Sequence, residues 1–288
     1  MTAETLLPIA LGLFSALTLA IVNTAVKRGG DILTTRIVLS ASSALLMVPF
    51  AFLVPLPDQA TWAALGVSVP IHFAYQACMI RAMHRGELSL VFPIMRGFAP
   101  VLTALTAWLV LGEGLAPIAL LGLLIATGSV VYFVRPPTGF LGTTAHPDTA
   151  ALFWAFATAL GVASYSVADA RGIRLANSEF TFIVWLFLLD WVGVLVVGLV
   201  ARGSVLWSAV ATQWRYGLVG GIGSILSFGS ALYAMSLIEV ARVSALRESA
   251  VVFAAILGWL YLKEGLGLRR TLAASVLALG LVLMQLGG

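Results

Sequence analysis

Long apolar runs, broken by short clusters of charge, Gly and Pro, set the pattern of this chain. The runs lie near residues 6–26, 32–54, 60–83, 88–110, 115–134, 149–169, 179–201, 213–236, 240–262 and 268–287. Each continues for about twenty residues, the length an α-helix needs to cross a bilayer core. Helices in lipid are apolar all round because their backbone hydrogen bonds are internal. A membrane barrel would instead show alternating segments of about ten residues, so the pattern predicts an all-α membrane protein with ten transmembrane helices. Ionisable residues Arg81, Arg96, Arg247 and Glu248 stand at or inside the ends of the third, fourth and ninth runs. Most connections are a handful of residues, which makes sequential helices antiparallel neighbours. No basic segment precedes the first run and no small-residue cleavage site follows it, so a retained span is expected there.

The longest gap, Arg135 to Asp148, contains Pro136, Pro137, Gly139, Gly142 and Pro147, a linker composition. It divides the chain into blocks 1–135 and 149–288, with 136–148 as linker, expected to form one integrated membrane domain. The blocks repeat each other. Superposing Pro93–Leu115 on Ser244–Leu266 gives ten identities in twenty-three positions, among them Arg96/Arg247, Ala99/Ala250, Trp108/Trp259 and Glu113/Glu264. Ser15–Gly29 aligns in the same way with Thr158–Gly172. Because each block holds five spans, an odd number, the second enters from the opposite face. The expectation is therefore two inverted-topology repeats around a central cavity, the arrangement that supplies two near-equivalent conformations for alternating access.

Composition agrees with the pattern: 61% of residues are hydrophobic and 10% charged, and the mean hydropathy is +1.05. A soluble domain carries about a quarter charged residues. The net charge of +4 comes from basic residues scattered between apolar runs, which excludes a nucleic-acid surface. Lys27, Arg28, Arg36, Arg81, Arg85, Arg135, Arg202, Arg215, Lys263, Arg269 and Arg270 fall on one side, against Arg171, Arg174 and Arg242 on the other. By the positive-inside rule the rich side is cytoplasmic and both termini lie outside the cytoplasm, with a bacterial inner membrane as the expected location. The single cysteine, Cys78, excludes an internal disulfide, and the sequence shows no metal-binding spacing, Walker motif or dinucleotide fingerprint. His84 and His146 are expected in loops, without triad partners. No cofactor, nucleotide or enzyme activity is expected; a membrane-embedded enzyme is the disfavoured alternative. The expected partners are lipid and a small-molecule substrate, and a monomer is a plausible state.

The segments Arg81-Ala82-Met83 through Pro93 to Gly112-Glu113, and Tyr233-Ala234-Met235 through Leu246-Arg247 to Lys263-Glu264, resemble the EamA-type repeat of the drug/metabolite transporter superfamily. Within it the nearest likeness is to the bacterial aromatic amino-acid exporter branch. The resemblance implies ten helices around a central cavity and export of small metabolites, with a broad drug or metabolite exporter as the alternative. Members often keep a proline in both fourth-helix equivalents, whereas here Pro100 faces Val251, which leaves a kink in the ninth span open.

Polar groups within spans are costly in hydrocarbon and are the candidates for function. Ser68, His72, Tyr75, Gln76 and Met79 share one helical stripe, a set able to hydrogen-bond a zwitterion and pack an apolar side chain, or to satisfy a helix–helix network. The repeat places Ser224, Ser227, Phe228 and Ala231 in the matching stripe. Trp154, Thr158, Gly161 and Tyr165 form a third, with Trp154 either a cavity or an interfacial residue and Tyr165 preferred for the cavity. Asn23 aligns with Ser166. Asp190, near the middle of its span, calls for a proton or a cation such as Arg96 or Arg247, and reads as a proton-coupling site or a structural pair. Arg96 and Arg247, with Glu248 beside the second, are able to grip a substrate carboxylate, although tying helix ends together explains both copies more economically.

Overall fold

The computed structural model describes residues 3–28, 32–86, 88–134, 148–254, 256 and 267–287. Every regular element among them is helical, and six helices are long and apolar enough to cross a membrane. The chain forms two compact units, Met1–Phe73 with Ala168–Ile238, and Ala74–Val167 with Glu239–Gly288. Each unit draws on both sequence repeats.

The first unit contains α1 (Ala3–Arg28), α2 (Ile32–Ala51), the first half of α3 (Gln59–Arg85), the end of α7 (Thr149–Leu175), α8 (Glu179–Arg202), α9 (Val205–Ser224) and α10 (Ser230–Leu237). A π-helical turn, Ile225–Gly229, joins α9 to α10 inside the expected eighth span. Such turns are rare and concentrate at functional sites. Helix α2 packs on α8 and α9, and α1 on α9 and α10. The apolar core is built on Leu65, Ile173, Phe182, Leu186 and Leu232, all fully buried. Arg174 on α7 donates from Nε to the Met235 carbonyl and from Nη2 to the Ile238 carbonyl, both at 2.9 Å, and so caps α10 with a cation where the helix dipole is negative.

Helix α3 starts at a capping aspartate. The Asp58 carboxylate accepts the Thr61 hydroxyl at 2.6 Å and the Thr61 backbone N–H at 2.8 Å. These bonds hold the Asp58 carboxyl below its ordinary value of 3.8. A carboxyl lowered in the folded state adds stability that is present above pH 3.8 and is lost as the pH falls through the folded value. Asp58→Ala should therefore lower the melting temperature at neutral pH, and the gap from wild type should close in acid. Thermal melts across pH check this; a gap that widens in acid would count against the cap.

The second unit contains the rest of α3, α4 (Leu88–Gly97), α5 (Ala99–Leu111), α6 (Pro117–Val134), the first part of α7, α11 (Val240–Glu248) and α12 (Gly267–Leu286). Helices α6 and α12 lie so close that a Cβ on Gly122 would stand 2.5 Å from the Gly280 carbonyl oxygen and 2.5 Å from the Met284 nitrogen. Glycine at both positions is thus what permits the contact. Around it Leu123, Val130, Leu277 and Met284 are buried. Gly112, with φ of 72°, ends α5 in the left-handed region that glycine adopts freely. The next residue, Glu113, accepts the Val240 N–H at 2.9 Å, which places a carboxylate on the positive end of α11. The repeated Glu-Gly motif is in this copy a helix cap; Glu264 and Asn23's side chain lie outside the described residues.

The fourth span, read as one helix from 88 to 110, is two helices that break at Phe98. Pro100 lacks an N–H and cannot continue the hydrogen-bond ladder back to Arg96. The ninth span breaks at Ser249, the repeat mate of Phe98, although Val251 stands where the first copy has proline. There the Ser249 hydroxyl donates to the Leu246 carbonyl at 2.7 Å and its backbone N–H donates to the same oxygen at 3.1 Å. A break at matching positions accompanies two chemistries, a missing donor in one copy and a competing donor in the other.

Candidate functional site

Two polar clusters stand in the apolar helices, one in each unit. In the second unit the stripe residues Tyr75, Gln76 and Met79 come from α3, and Trp154, Thr158, Gly161 and Tyr165 come from α7. Gly161 admits the approach, since a Cβ there would lie 3.0 Å from the Tyr75 Cβ. The Tyr75 and Tyr165 rings then meet edge to face with centroids 5.1 Å apart. The Tyr75 hydroxyl donates to Met79 Sδ at 3.5 Å, and Gln76 is buried beside them on the helix. Trp154 packs among Met79, Ala82 and Val91 with Tyr75, and carries the Arg81 guanidinium over its ring at 5.0 Å.

Arg96 on α4 and Glu248 on α11 form an ion pair at 3.7 Å, with side chains 23% and 6% exposed. Neither Arg96 Nε nor Glu248 Oε2 makes a hydrogen bond among the described residues, although both are buried. The guanidinium also stands within electrostatic reach of Tyr165 and Tyr75, and Arg247 within reach of Glu248. Arg96 was an alternative partner for Asp190; its carboxylate here is Glu248. The helix breaks at Phe98 and Ser249 come within two residues of these two charged residues, one at each end of the pair.

The first unit holds His72, Asp169, Asp190 and Ser227. His72 is the central residue of α3, with thirteen residues on either side in Gln59–Arg85. Its Nε2 lies 2.8 Å from Asp169 Oδ2 and its Nδ1 lies 3.6 Å from Asp190 Oδ1. Asp169 is completely buried, and its Oδ1 has no hydrogen-bond partner among the described residues. The Phe228 ring, presented by the π turn, meets the imidazole edge to face at 5.6 Å. Ser227 donates to the Ser15 carbonyl at 2.8 Å and so links the same turn to α1.

Asp169 is the residue that reading the sequence missed. The expected sixth span ended at residue 169, which put this carboxylate at the interface. Helix α7 in fact runs on to Leu175, so Asp169 is interior. The available signal was the continuation of apolar residues past it, at Ile173 and Leu175.

The family model for EamA-like transporters matches residues 5–135 and again residues 149–286. The chain belongs to the EamA-like transporter family. It is an integral, multi-pass membrane protein, and the family is one of small-molecule transporters within the drug/metabolite transporter superfamily. The two matched stretches are the two repeats. A solved structure titled only as the crystal structure of a protein shares the fold, with a TM-score of 0.77 at 18% identity over 99% of this chain and 96% of that one. A comparison with curated proteins found no match.

Proposed function

We propose that this EamA-like transporter is a secondary carrier that exports small metabolites, foremost amino acids including aromatic ones, by alternating access of its two inverted repeats. The observation that carries the substrate class is Arg96, whose buried Nε has no hydrogen-bond partner among the described residues, beside the Tyr75–Tyr165 pair. An arginine fork suits a carboxylate, and two edge-to-face tyrosines suit an aromatic side chain. Glu248 supplies the opposite charge for an ammonium group, so the cluster offers both signs that a zwitterion presents. Tryptophan and phenylalanine fit this combination. The export direction and a bacterial inner-membrane location with termini outside the cytoplasm follow from the resemblance and from the charge bias, and belong to the same proposal.

Proteoliposomes loaded with labelled tryptophan test the reading. Saturable flux is expected for tryptophan and phenylalanine. Tryptamine, which keeps the indole and lacks the carboxylate, should not compete. Absence of saturable flux for every amino acid, from well-folded protein, would remove the substrate claim; equal competition by tryptamine would turn the reading towards a broad exporter.

A further inference from the structure

We infer that His72, Asp169 and Asp190 together hold one exchangeable proton in mid-membrane and couple its passage to that of the substrate. The coupling half of this inference rests on the carrier reading above; the proton site itself does not.

The geometry separates the roles of the two carboxylates. Asp169 is completely buried and meets Nε2 at 2.8 Å, so it fixes the ring. Asp190, on the other side of the ring at 3.6 Å from Nδ1, has a side chain 24% exposed and is the member open to exchange. Among the described residues, the charged groups shown to act on His72 are these two, from α7 and α8; the π turn contributes the Phe228 ring, and α3 itself the buried Ser68 hydroxyl one turn away. Charge counting then limits the states. An imidazolium with two carboxylates carries a net charge of −1, and one added proton makes the cluster neutral.

Position makes that difference matter. Thirteen residues of helix on either side put His72 about 20 Å from each end of α3 at 1.5 Å per residue. Asp190 is likewise the twelfth of the 24 residues of α8. A net charge at that depth is costly, so the loaded and empty forms differ in how readily they cross between conformations. The step is a protonation alone. Water on one side delivers a proton to Asp190 Oδ1, forming an O–H bond, and that bond breaks to water on the other side. No other bond changes: the imidazolium keeps both of its own protons, and its Nδ1–H faces the Asp190 carboxyl, directly or through one water.

Two measurements test the inference. In proteoliposomes with the membrane potential clamped, a pH gradient of one unit should drive tryptophan to about a tenfold concentration ratio for one proton per substrate. In Asp190→Asn that ratio should fall to about one, measured against tryptophan exchange in the same vesicles. His84→Gln should match wild type. A wild-type flux indifferent to the gradient, or accumulation that persists in Asp190→Asn, overturns coupling.

The second measurement needs no transport. The chain has three histidines, so His84→Gln with His146→Gln leaves His72 as the lone imidazole for nitrogen NMR in nanodiscs. Its resonances should respond to pH between about 5 and about 9, and Asp190→Asn and Asp169→Asn should each move the midpoint. A signal flat across that range, or unmoved by both substitutions, overturns the proton site. If no amino acid moves at all in wild type, the carrier reading fails and the NMR result still decides the site.

Discussion

Gly122→Leu should cost about 3 kcal/mol of stability, and Gly128→Leu on the same helix should cost nothing measurable. Overpacking a closed contact costs about 1–3 kcal/mol and more where backbone is in the way. At position 122 the new Cβ meets the Gly280 carbonyl and the Met284 nitrogen at 2.5 Å, both backbone atoms of α12 that have no rotamer to yield. At position 128 a Cβ finds nothing within 4 Å. Leucine is a better helix former than glycine by up to about 1 kcal/mol, a gain common to both sites, so the contrast isolates packing. Thermal melts in detergent supply the measurement. Equal melting temperatures for the two variants would mean that α6 and α12 do not meet through Gly122.

Removing either partner of the Arg96–Glu248 pair should destabilise the protein by about 3 kcal/mol, at the low end of the range for stranding a buried charge. The low end applies because Arg247 also acts on Glu248 and the Arg96 side chain is 23% exposed. The double change Arg96→Met with Glu248→Met should regain most of that loss, since apolar replacement of a buried pair is often neutral. Transport behaves differently if Arg96 grips the substrate carboxylate: tryptophan flux should stay abolished in the double variant although the melting temperature returns. Flux that returns together with stability would reduce the pair to a structural tie.

The helical architecture was legible because hydrocarbon imposes it: each run long enough to span had to be a helix, and the repeat was visible as identities between the two blocks. Arg96, Arg247 and Glu248 stood out because charge is rare in such runs. Their pairing, Arg96 with Glu248, is separated by about half the chain and has no local signal. His72 was noticed for its stripe with Tyr75 and Gln76, but its partner Asp169 is 97 residues away and looked interfacial. The π turn at Ile225–Gly229 was invisible for another reason, since its residues are ordinary helix formers and only tertiary contacts displace the hydrogen-bond register. The break at Ser249 was undecidable from Val251; the side-chain hydroxyl that produces it is as common in continuous helices as at their breaks.

Each compact unit is assembled from two stretches of chain, and this bears on synthesis. The unit that begins at Met1 needs Ala168–Ile238 to finish its core, and the unit that begins at Ala74 needs residues to the end of the chain. Neither can close while the first repeat alone has left the ribosome. Phe182 and Leu232, which complete the core around Leu65, arrive more than a hundred residues after it. Contacts of such separation form slowly, because loop closure precedes the reward. Until the second repeat emerges, His72 sits in the membrane without Asp169, and the Glu113 carboxylate waits for the helix it caps. Insertion of this transporter is therefore a late, concerted event, and its folding intermediates expose polar groups to lipid that the finished protein has paired.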